Sequence, residues 1–556
     1  MILVQSKQQF NAGIEVIEYL ESQQTLAVDV ETYSTEDTRP LGLAIAWSPQ
    51  DAIFFSTDEI HKAPRILSLL ERPILYHNAL FDLEALVKHF RITPLCKDDT
   101  MLMAMAAGYP AALRDLGLKF AFDYIPVMSL ITDPATNKVR NIRDPLLPKL
   151  KSGGDRVRQM NLGDADIGRI GNICLDHARG TYKVWKVLQA STSASYTIDM
   201  CLLDTIRTMH HRGFRIDTAK ALGRYQGMNT RITEMQERGL KEFNINIGST
   251  VQLAGALAER FLFTAFNKKT GNMITDKEHL LLHKGHPLVD LVLEFRALEK
   301  LCSTFVFPLS QVDRVYPRYR IVRTGRFSSS PNVQNIPEEQ RDLYLPDEGD
   351  FLWSADAHQI EPRISAVLSG DPQMLQDCLT GDIYQPIADR YYISRYVAKQ
   401  LLLAASYLAG AEQLVTTAQK KGEVLSQADA ESLYAALRRD YPRFFQWNVE
   451  NQNFLQENGY VQTILGRKRT IDSMLEGEDD GYPAEKKATN TIVQGSAADI
   501  LKLGVLRLQK EKIAATVHDD IICSVRQCPP SDILDNLTEV PVVWKIKTGN
   551  NWGSLQ

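Results

Sequence analysis

The sequence has no excess of charge of either sign. Its 63 lysines and arginines stand against 68 aspartates and glutamates, for a formal net charge of −5. That argues against a histone-like or wholly basic nucleic-acid coat, though a local basic cleft can still sit on an acidic body. The seven cysteines are scattered without a C-x-x-C pair, which points away from both a zinc ribbon and a disulfide framework. No run approaches the roughly 18 consecutive apolar residues that a membrane span needs. The start, MILVQSKQQFNAGIEVIEYL, lacks the basic–apolar–small pattern of a signal peptide. There is no internal repeat and no low-complexity tract. A soluble, cytoplasmic protein without a membrane segment is expected. At 556 residues and 44% hydrophobic, it should hold roughly three or four packed cores.

Residues 1–190 mix α and β signals. TLAVDVETYS (25–34) and AIAWSPQDAIFFS (44–56) alternate as strands do, and ALFDLEALVKHF (79–90) has helical periodicity. Between 133 and 166 lies a stretch rich in Pro, Gly, Lys and Arg, expected as a solvated loop, with contact to a polyanion as the other reading. From about 195 to 310 helical patterns dominate, clearest in STVQLAGALAERF and HPLVDLVLEFRALEKLCSTF. The remainder mixes short strands with long helices. The fold class is multidomain, α/β and α+β.

In LAVDVETYS, Asp29 and Glu31 share one face of a strand while Val28 and Val30 share the other. Acids alternate on many solvated strands, but two carboxylates converging on a buried face repel unless a cation lies between them. Hard divalent cations favour such oxygen ligands. YHNALFDLEALVKHF then sets Asn78 and Asp82 four apart, on one helix face, and GNICLDHARGTYKVW offers Asp176 at the start of another helix. Asp-x-Glu, Asn-x-x-x-Asp and Asp in this order resemble the 3′→5′ proofreading exonucleases of the ribonuclease H-like superfamily. The resemblance implies that Asp29, Glu31, Asp82 and Asp176 hold two divalent ions, which activate a water and stabilise the leaving oxygen of a phosphodiester. That family usually has a Tyr four residues before the last Asp to orient the water. Asn172 stands there instead, and no nearby Tyr or His has an obvious substitute spacing. Measurable but weakened exonuclease activity is therefore expected.

Four blocks follow in the C-terminal half. RTGRFSSSPNVQNIPEE (323–339) is a Gly/Ser/Pro-rich loop. FLWSADAHQIEPRISAVLSGD (351–371) is an apolar strand ending at Asp356 and running into a helix. RYVAKQLLLAASY (395–407) repeats Arg395, Lys399, Leu403 and Tyr407 every four residues along one helix face. NTIVQGSAADILKL (490–503) precedes TVHDDIICSV, which sets Asp519 and Asp520 inside an otherwise apolar run. Burying those acids without a partner costs several kcal/mol, roughly, after relaxation. Singly, each block has a bland reading: a solvated helix face, or small residues that let a helix pack closely.

In this order the blocks resemble the family A DNA polymerases, the group of bacterial DNA polymerase I, and the resemblance runs to VPVVWKIKTGNNWGSLQ at the end. It implies a ribonuclease H-like exonuclease domain (1–190) followed by a right-hand polymerase domain (191–556). Within the latter, the thumb would span about 195–315, the fingers about 381–440, and the palm about 316–380 and 440–556. The implied activity is template-directed addition of dNTPs to a primer 3′ end, with two Mg²⁺ or Mn²⁺ ions per active site. Asp356 and Asp519 would bridge the metals, with the carbonyl of Ala357 as a further ligand and Asp520 as a supporting acid. Arg395 and Lys399 would hold the triphosphate, one as a forked donor and one as a point charge. Tyr407 would border the nascent base pair, and Glu361 would crowd the sugar 2′-position. Gln359, Leu403 and Arg341 fall with the nucleotide-binding group. Arg326, Asn335, Asn490, Gln494 and His518 match positions contacting primer or template. The implied partners are primer–template DNA and dNTPs, bound by a monomer, with helicase, primase and single-strand-binding protein as candidate accessories.

Several positions depart from the family pattern. Ala357 and His358 replace a frequent Tyr-Ser, and Asp520 replaces a Glu, which shortens its reach by one methylene. By the resemblance, a member without the 5′-nuclease region of larger polymerases and without a large thumb insertion is expected, as in phage-encoded polymerases, with a bacterial or organellar origin as the other reading. Two other classes compete: a nuclease whose C-terminal half only holds DNA, and a catalytically silent binding protein. The triphosphate grip of Arg395 and Lys399 disfavours the first, and intact carboxylates at both sites disfavour the second. Leu403 stands where an aromatic residue commonly lies beside the incoming sugar. Leu403→Tyr should therefore raise dideoxynucleotide incorporation in a primer-extension termination assay; an unchanged termination ratio counts against this role.

Overall fold

The computed structural model of the protein describes residues 2–5, 13–34, 37–120, 166–261, 274–419, 422–475 and 484–555. The basic stretch 133–166 lies outside these except for Asp166. That carboxylate caps the helix Ile167–Leu188, accepting the Arg169 N–H at 3.0 Å.

The N-terminal unit is built on a six-stranded sheet. In spatial order its strands are Ile2–Gln5, Ala52–Ser56, Pro40–Ala46, Ala27–Thr32, Pro73–Tyr76 and Leu95–Asp99. The first three pairings are antiparallel and the last two parallel. Val28 and Val30 are buried in the main core, as the alternation requires. The opposite face is paved with Ala27, Ala44, Ala46 and Ala52, and small side chains there let the helix Ile167–Leu188 lie close through Cys174, Leu175 and Ala178. The approach is tight: a Cβ at Gly171 would come within 2.6 Å of Leu3 and 2.8 Å of Phe54.

Two local expectations change. Asn78 does not share a helix face with Asp82, because it is the residue before the helix Ala79–Phe90 and has left-handed backbone, φ 70°. Asp176 lies mid-helix rather than at a helix start, because the Asp166 cap and the apolar face beginning at Ile170 start that helix a turn and more earlier.

The C-terminal half centres on a four-stranded antiparallel sheet, ordered Ile513–Val517, Asp520–Val525, Phe351–His358, Val543–Gly549. The strand expected to stop at Asp356 continues to His358, because Ala357 and His358 still pair with Trp544 and Val543. Part of the expected loop 323–339 is also a strand, Phe327–Ser330, paired with Arg318–Ile321. QGSAAD lies inside the helix Ala484–Arg507, where a Cβ at Gly495 would meet Thr463 at 2.5 Å. The helices Tyr384–Tyr391, Arg395–Ser406, Ala411–Gln419 and Gln427–Asp440 share a second core containing Ile364, Leu401, Leu402 and Phe444. The helices Thr218–Phe243, Thr250–Phe261 and Pro287–Leu301 enclose a third core, with Leu257, Val292 and Phe295.

The helix Ala194–Arg212 lies at the start of the long helical stretch and packs apart from the third core. Its Leu202, Leu203, Ile206 and Met209 enter the core shared by the N-terminal unit and the C-terminal sheet. It also carries Asp199, completely buried, which pairs with Arg467 and with Lys502 at 2.6 Å. Asp499 lies beside the same two cations and accepts the Ser195 hydroxyl at 3.0 Å. Two cations and two anions thus share a dry pocket, where each charge is tolerable only because of the others. Asp199→Ala should lower the unfolding free energy by about 3–5 kcal/mol, the usual cost of breaking a buried pair. Equilibrium urea denaturation measures it, and a midpoint unchanged from wild type would contradict the assignment.

Candidate active sites

Asp356 and Asp520 are direct cross-strand partners where two central strands meet. Facing like charges destabilise a sheet unless something compensates. The turn His518–Asp519 joins Val517 to Asp520, with His518 in left-handed backbone at φ 53°. The Ala357 N–H donates to the Asp519 carbonyl at 2.9 Å, which stitches the hairpin tip onto the neighbouring strand. Burial pushes Asp519 up to about 6, against the pull of Arg326 and with the help of Glu361 and Asp356. Burial, with Asp356 next, pushes Asp520 up to about 7, while Lys547 and Ser354 oppose it. Asp520 Oδ1 is buried without a hydrogen bond. Asp356 remains 41% exposed, with His358 Nδ1 at 3.9 Å and Lys545 opposite it on the outer strand. Three carboxylates, two of them desolvated and one with an unmet oxygen, form a donor set that fits hard divalent cations.

Four predicted DNA or nucleotide residues from separate segments join into one chain of hydrogen bonds. Glu361 accepts from Arg326 at 2.8 Å and from the Tyr407 hydroxyl at 3.1 Å, and Gln494 reaches that hydroxyl at 3.4 Å. Asn490 and Leu403 line the crevice beside Glu361 and Tyr407. Arg326, Gln334, His518 and Asp519 line a cavity of about 160 Å³. Tyr407 caps the helix Arg395–Ser406 rather than continuing it. Arg395 and Lys399 are exposed on that helix, as their sequence period suggested.

Sequence reasoning missed the residue that orients Arg395. Asp382 accepts from Arg395 Nε at 2.6 Å and from Gln359 Nε2 at 2.7 Å. Burial raises its carboxyl, but those two bonds outweigh burial and hold it near about 2. Gln359, left-handed at φ 54°, also accepts the Ile383 N–H at 3.0 Å, so it braces this turn. Arg341 lies over the Trp552 ring at 4.9 Å, and Asn335 is exposed at the end of the short helical turn Val333–Asn335.

In the N-terminal unit, Asp29 and Glu31 face the helix Ile167–Leu188, and the residue that meets them is His177. Its Nδ1 lies 3.6 Å from Asp29 and 3.4 Å from Glu31. Asp29 Oδ2 is buried without a hydrogen bond, so here too a carboxylate oxygen is left for a cation. Asp82 is buried nearby, accepting the Val30 N–H at 3.1 Å; burial, and then the charge of Asp29, push it well above the usual carboxylate range. Asp176 turns to Arg179 and lies outside the Asp29–Glu31–His177 cluster, while Asn172 is exposed. His177 was invisible to motif spacing, since it follows Asp176 rather than preceding it. A usable signal was the Gly171–Cys174–His177–Ala178 stripe, which shares the small-residue face pressed onto the sheet.

A sequence model described as DNA polymerase family A matches residues 218–554, and one described as 3′-5′ exonuclease matches residues 2–125. The chain belongs to DNA polymerase family A. It is similar to DNA polymerase I of Chloroflexus aurantiacus, 26% identical over 545 residues that cover 87% of this chain and 55% of that protein. DNA polymerase I of Aquifex aeolicus is 27% identical over 81% of each chain. The thermostable DNA polymerase I of Thermus aquaticus is 29% identical over 56% of this chain and 42% of that protein. The chain thus spans about half the length of the Chloroflexus and Thermus relatives. The fold is shared with the POL domain of Pol1 from M. smegmatis, solved in complex with DNA primer-template and dNTP. That comparison has a TM-score of 0.74 at 19% identity and covers 98% of this chain and 99% of that one.

Because Tyr407 and Arg326 both lean on Glu361, Glu361→Ala and Tyr407→Phe should not act independently. A double-mutant cycle on thermal stability should show coupling of about 0.5–3 kcal/mol. Strict additivity would mean that the 3.1 Å contact carries no energy.

Proposed function

We propose that this chain is a template-directed DNA polymerase, extending a primer 3′ end with dNTPs, and that its N-terminal unit is a 3′→5′ exonuclease acting on the same strand. The observation that carries the reading is the convergence of Asp356, Asp519 and Asp520 at one end of the central sheet, beside the Arg326–Glu361–Tyr407–Gln494 chain. A DNA-holding module has no use for desolvated acids there. Residues 1–190 would be the exonuclease domain and 191–556 the polymerase. The helices around 218–301 would form the thumb, those at about 381–440 the fingers, and the four-stranded sheet the floor of the palm.

Asp356, Asp519 and the Ala357 carbonyl would hold two Mg²⁺ or Mn²⁺ ions, with Asp520 in support. Bound there, the cations supply charge neutralisation at the attacking and leaving oxygens of an in-line displacement. The chain's own residues supply position. Arg395 and Lys399, both exposed on their helix, would meet the triphosphate, Arg395 after exchanging Asp382 for a phosphate. Glu361 and Tyr407, locked to each other, form a wall against which the sugar and the new base pair are gauged. Leu403 adds apolar bulk to that wall. Arg326, Asn335, Asn490, Gln494 and His518 would track primer and template, with Gln359 and Arg341 behind them. In the exonuclease site, Asp29, Glu31, Asp82 and Asp176 would serve the same kind of chemistry with water as nucleophile.

The expected partners are primer–template and dNTPs, with helicase, primase or single-strand-binding protein as accessories to a monomeric enzyme in replication or repair. Each of the seven cysteines is a free thiol, in keeping with a reducing cytoplasm. No described helix is long and apolar enough to cross a membrane.

Asp519→Ala should cut primer extension at least about a thousandfold, since a metal clamp contributes several kcal/mol and each 1.36 kcal/mol is tenfold. Primer–template binding should survive the change. Asp29→Ala should abolish degradation of single-stranded 3′ ends and leave extension intact. Wild-type protein that binds primer–template but extends nothing with dNTPs and Mg²⁺ would overturn the proposal.

A further inference from the structure

The rotation of the helix Ile167–Leu188 about its own axis is fixed by two contacts. Gly171 lies against Leu3 and Phe54 with no room for a Cβ, and the Cys174 thiol donates to the Asp29 carbonyl at 3.2 Å. His177 follows Cys174 by three residues, so it shares that inward face. Asp176 is about 100° away around the helix and is engaged by Arg179. The imidazole is buried, with Nδ1 3.4 Å from Glu31 Oε1 and 3.6 Å from Asp29 Oδ2, and the three ligand atoms lie within 4.8 Å of one another. Neighbouring ligands on one ion, each about 2.1 Å from it, stand about 3.0–3.5 Å apart. The two distances from His177 Nδ1, 3.4 and 3.6 Å, are close to that. Asp29 Oδ2, the oxygen that faces His177 Nδ1, is buried and makes no hydrogen bond, so its acceptor capacity is unmet.

We propose that His177 is a metal ligand, completing with Asp29 and Glu31 a mixed nitrogen–oxygen site that prefers Mn²⁺, Co²⁺ or Zn²⁺ to Mg²⁺. The proposal rests on the exonuclease reading above and sharpens it. Imidazole suits divalent ions later in the first transition series, whose affinities for nitrogen rise along that series. Mg²⁺ holds its waters and favours oxygen, so it gains little from the histidine. The site would differ in this respect from the four-acid set that the sequence motifs imply. The same cation would be held with Asp176 left in its pair with Arg179.

The test is a Co²⁺ titration of the full chain followed by visible absorption, with Mg²⁺ and Mn²⁺ as competitors. Asp519→Asn is present throughout, so that the polymerase site contributes little. Even outer-shell partners of a metal are worth about 10–100-fold in affinity. His177→Gln should therefore weaken Co²⁺ binding at least about tenfold, alter its absorption bands, and leave Mg²⁺ competition within about twofold. His177→Asp, which restores a donor in the same place, should recover binding and move the preference toward Mg²⁺; it also guards against mere loss of folding, checked by thermal melting.

Unchanged or tighter Co²⁺ binding in His177→Gln would overturn the proposal, since the imidazole would then only neutralise the acids. So would a loss produced by Asp176→Asn and not by His177→Gln. If Asp29→Asn leaves Co²⁺ binding untouched, the metal reading of this unit fails as well, and that result separates the two failures.

Discussion

The C-terminal half depends on one awkward pairing, in which Asp356 and Asp520 face each other across two antiparallel strands with Asp519 in the adjoining turn. A sheet register is strongly specified wherever one face is buried, because a slip of one residue turns every side chain over. Ile521, Ile522, Cys523 and Val525 on one strand and Leu352, Trp353 and Ala355 on the other are all buried, so hydrophobic packing holds both strands in place. The acids are carried along with this pattern. Their mutual repulsion is therefore imposed by hydrophobic packing, and burial keeps Asp519 and Asp520 raised despite the chain's own cations.

Cations on the chain relieve it only in part: Arg326 pulls on Asp519, Lys547 on Asp520, and Lys545 lies opposite Asp356. Arg326 is turned to Glu361, Arg395 to Asp382, and Arg341 over Trp552. Each is engaged by a partner of its own, and Arg326 and Arg341 lie close enough to act on Asp519 and Asp520. The same division appears in the N-terminal unit, where Arg179 is occupied by Asp176 and the strand acids are met by a histidine instead. The buried quartet of Asp199, Arg467, Asp499 and Lys502 shows the contrasting arrangement. There opposite charges neutralise one another in a dry pocket and serve to lock the helix Ala194–Arg212 against the C-terminal half.

Much of this was legible in the residues. The alternation of Val28, Asp29, Val30 and Glu31 predicted the strand and its two faces, and the four-residue period of Arg395, Lys399 and Leu403 predicted a helix presenting its charges to solvent. Both follow from local rules of two and 3.6 residues per turn. The spacing of Asn78 and Asp82 misled, because a left-handed residue can precede a helix without joining it, and periodicity does not register φ. The helical periodicity from about 195 to 310 likewise did not show that the helix Ala194–Arg212 packs into the core shared with the N-terminal unit. An amphipathic pattern states that one face is buried but does not name the surface that covers it.

By itself the sequence determined the order of the motifs, the family they match, and which acids lie on strands. Chemistry of this kind depends on residue type and short spacing, and these are written along the chain. Only the tertiary structure decided which of two adjacent residues, Asp176 or His177, looks toward Asp29, because that choice is a rotation of about 100° set by the packing of Gly171 and Cys174 on a distant strand. It alone revealed Asp382 as the partner of Arg395, across a gap of thirteen residues that no period connects. Contacts between segments are fixed by the collapse of the whole core, and a one-dimensional pattern carries no record of them.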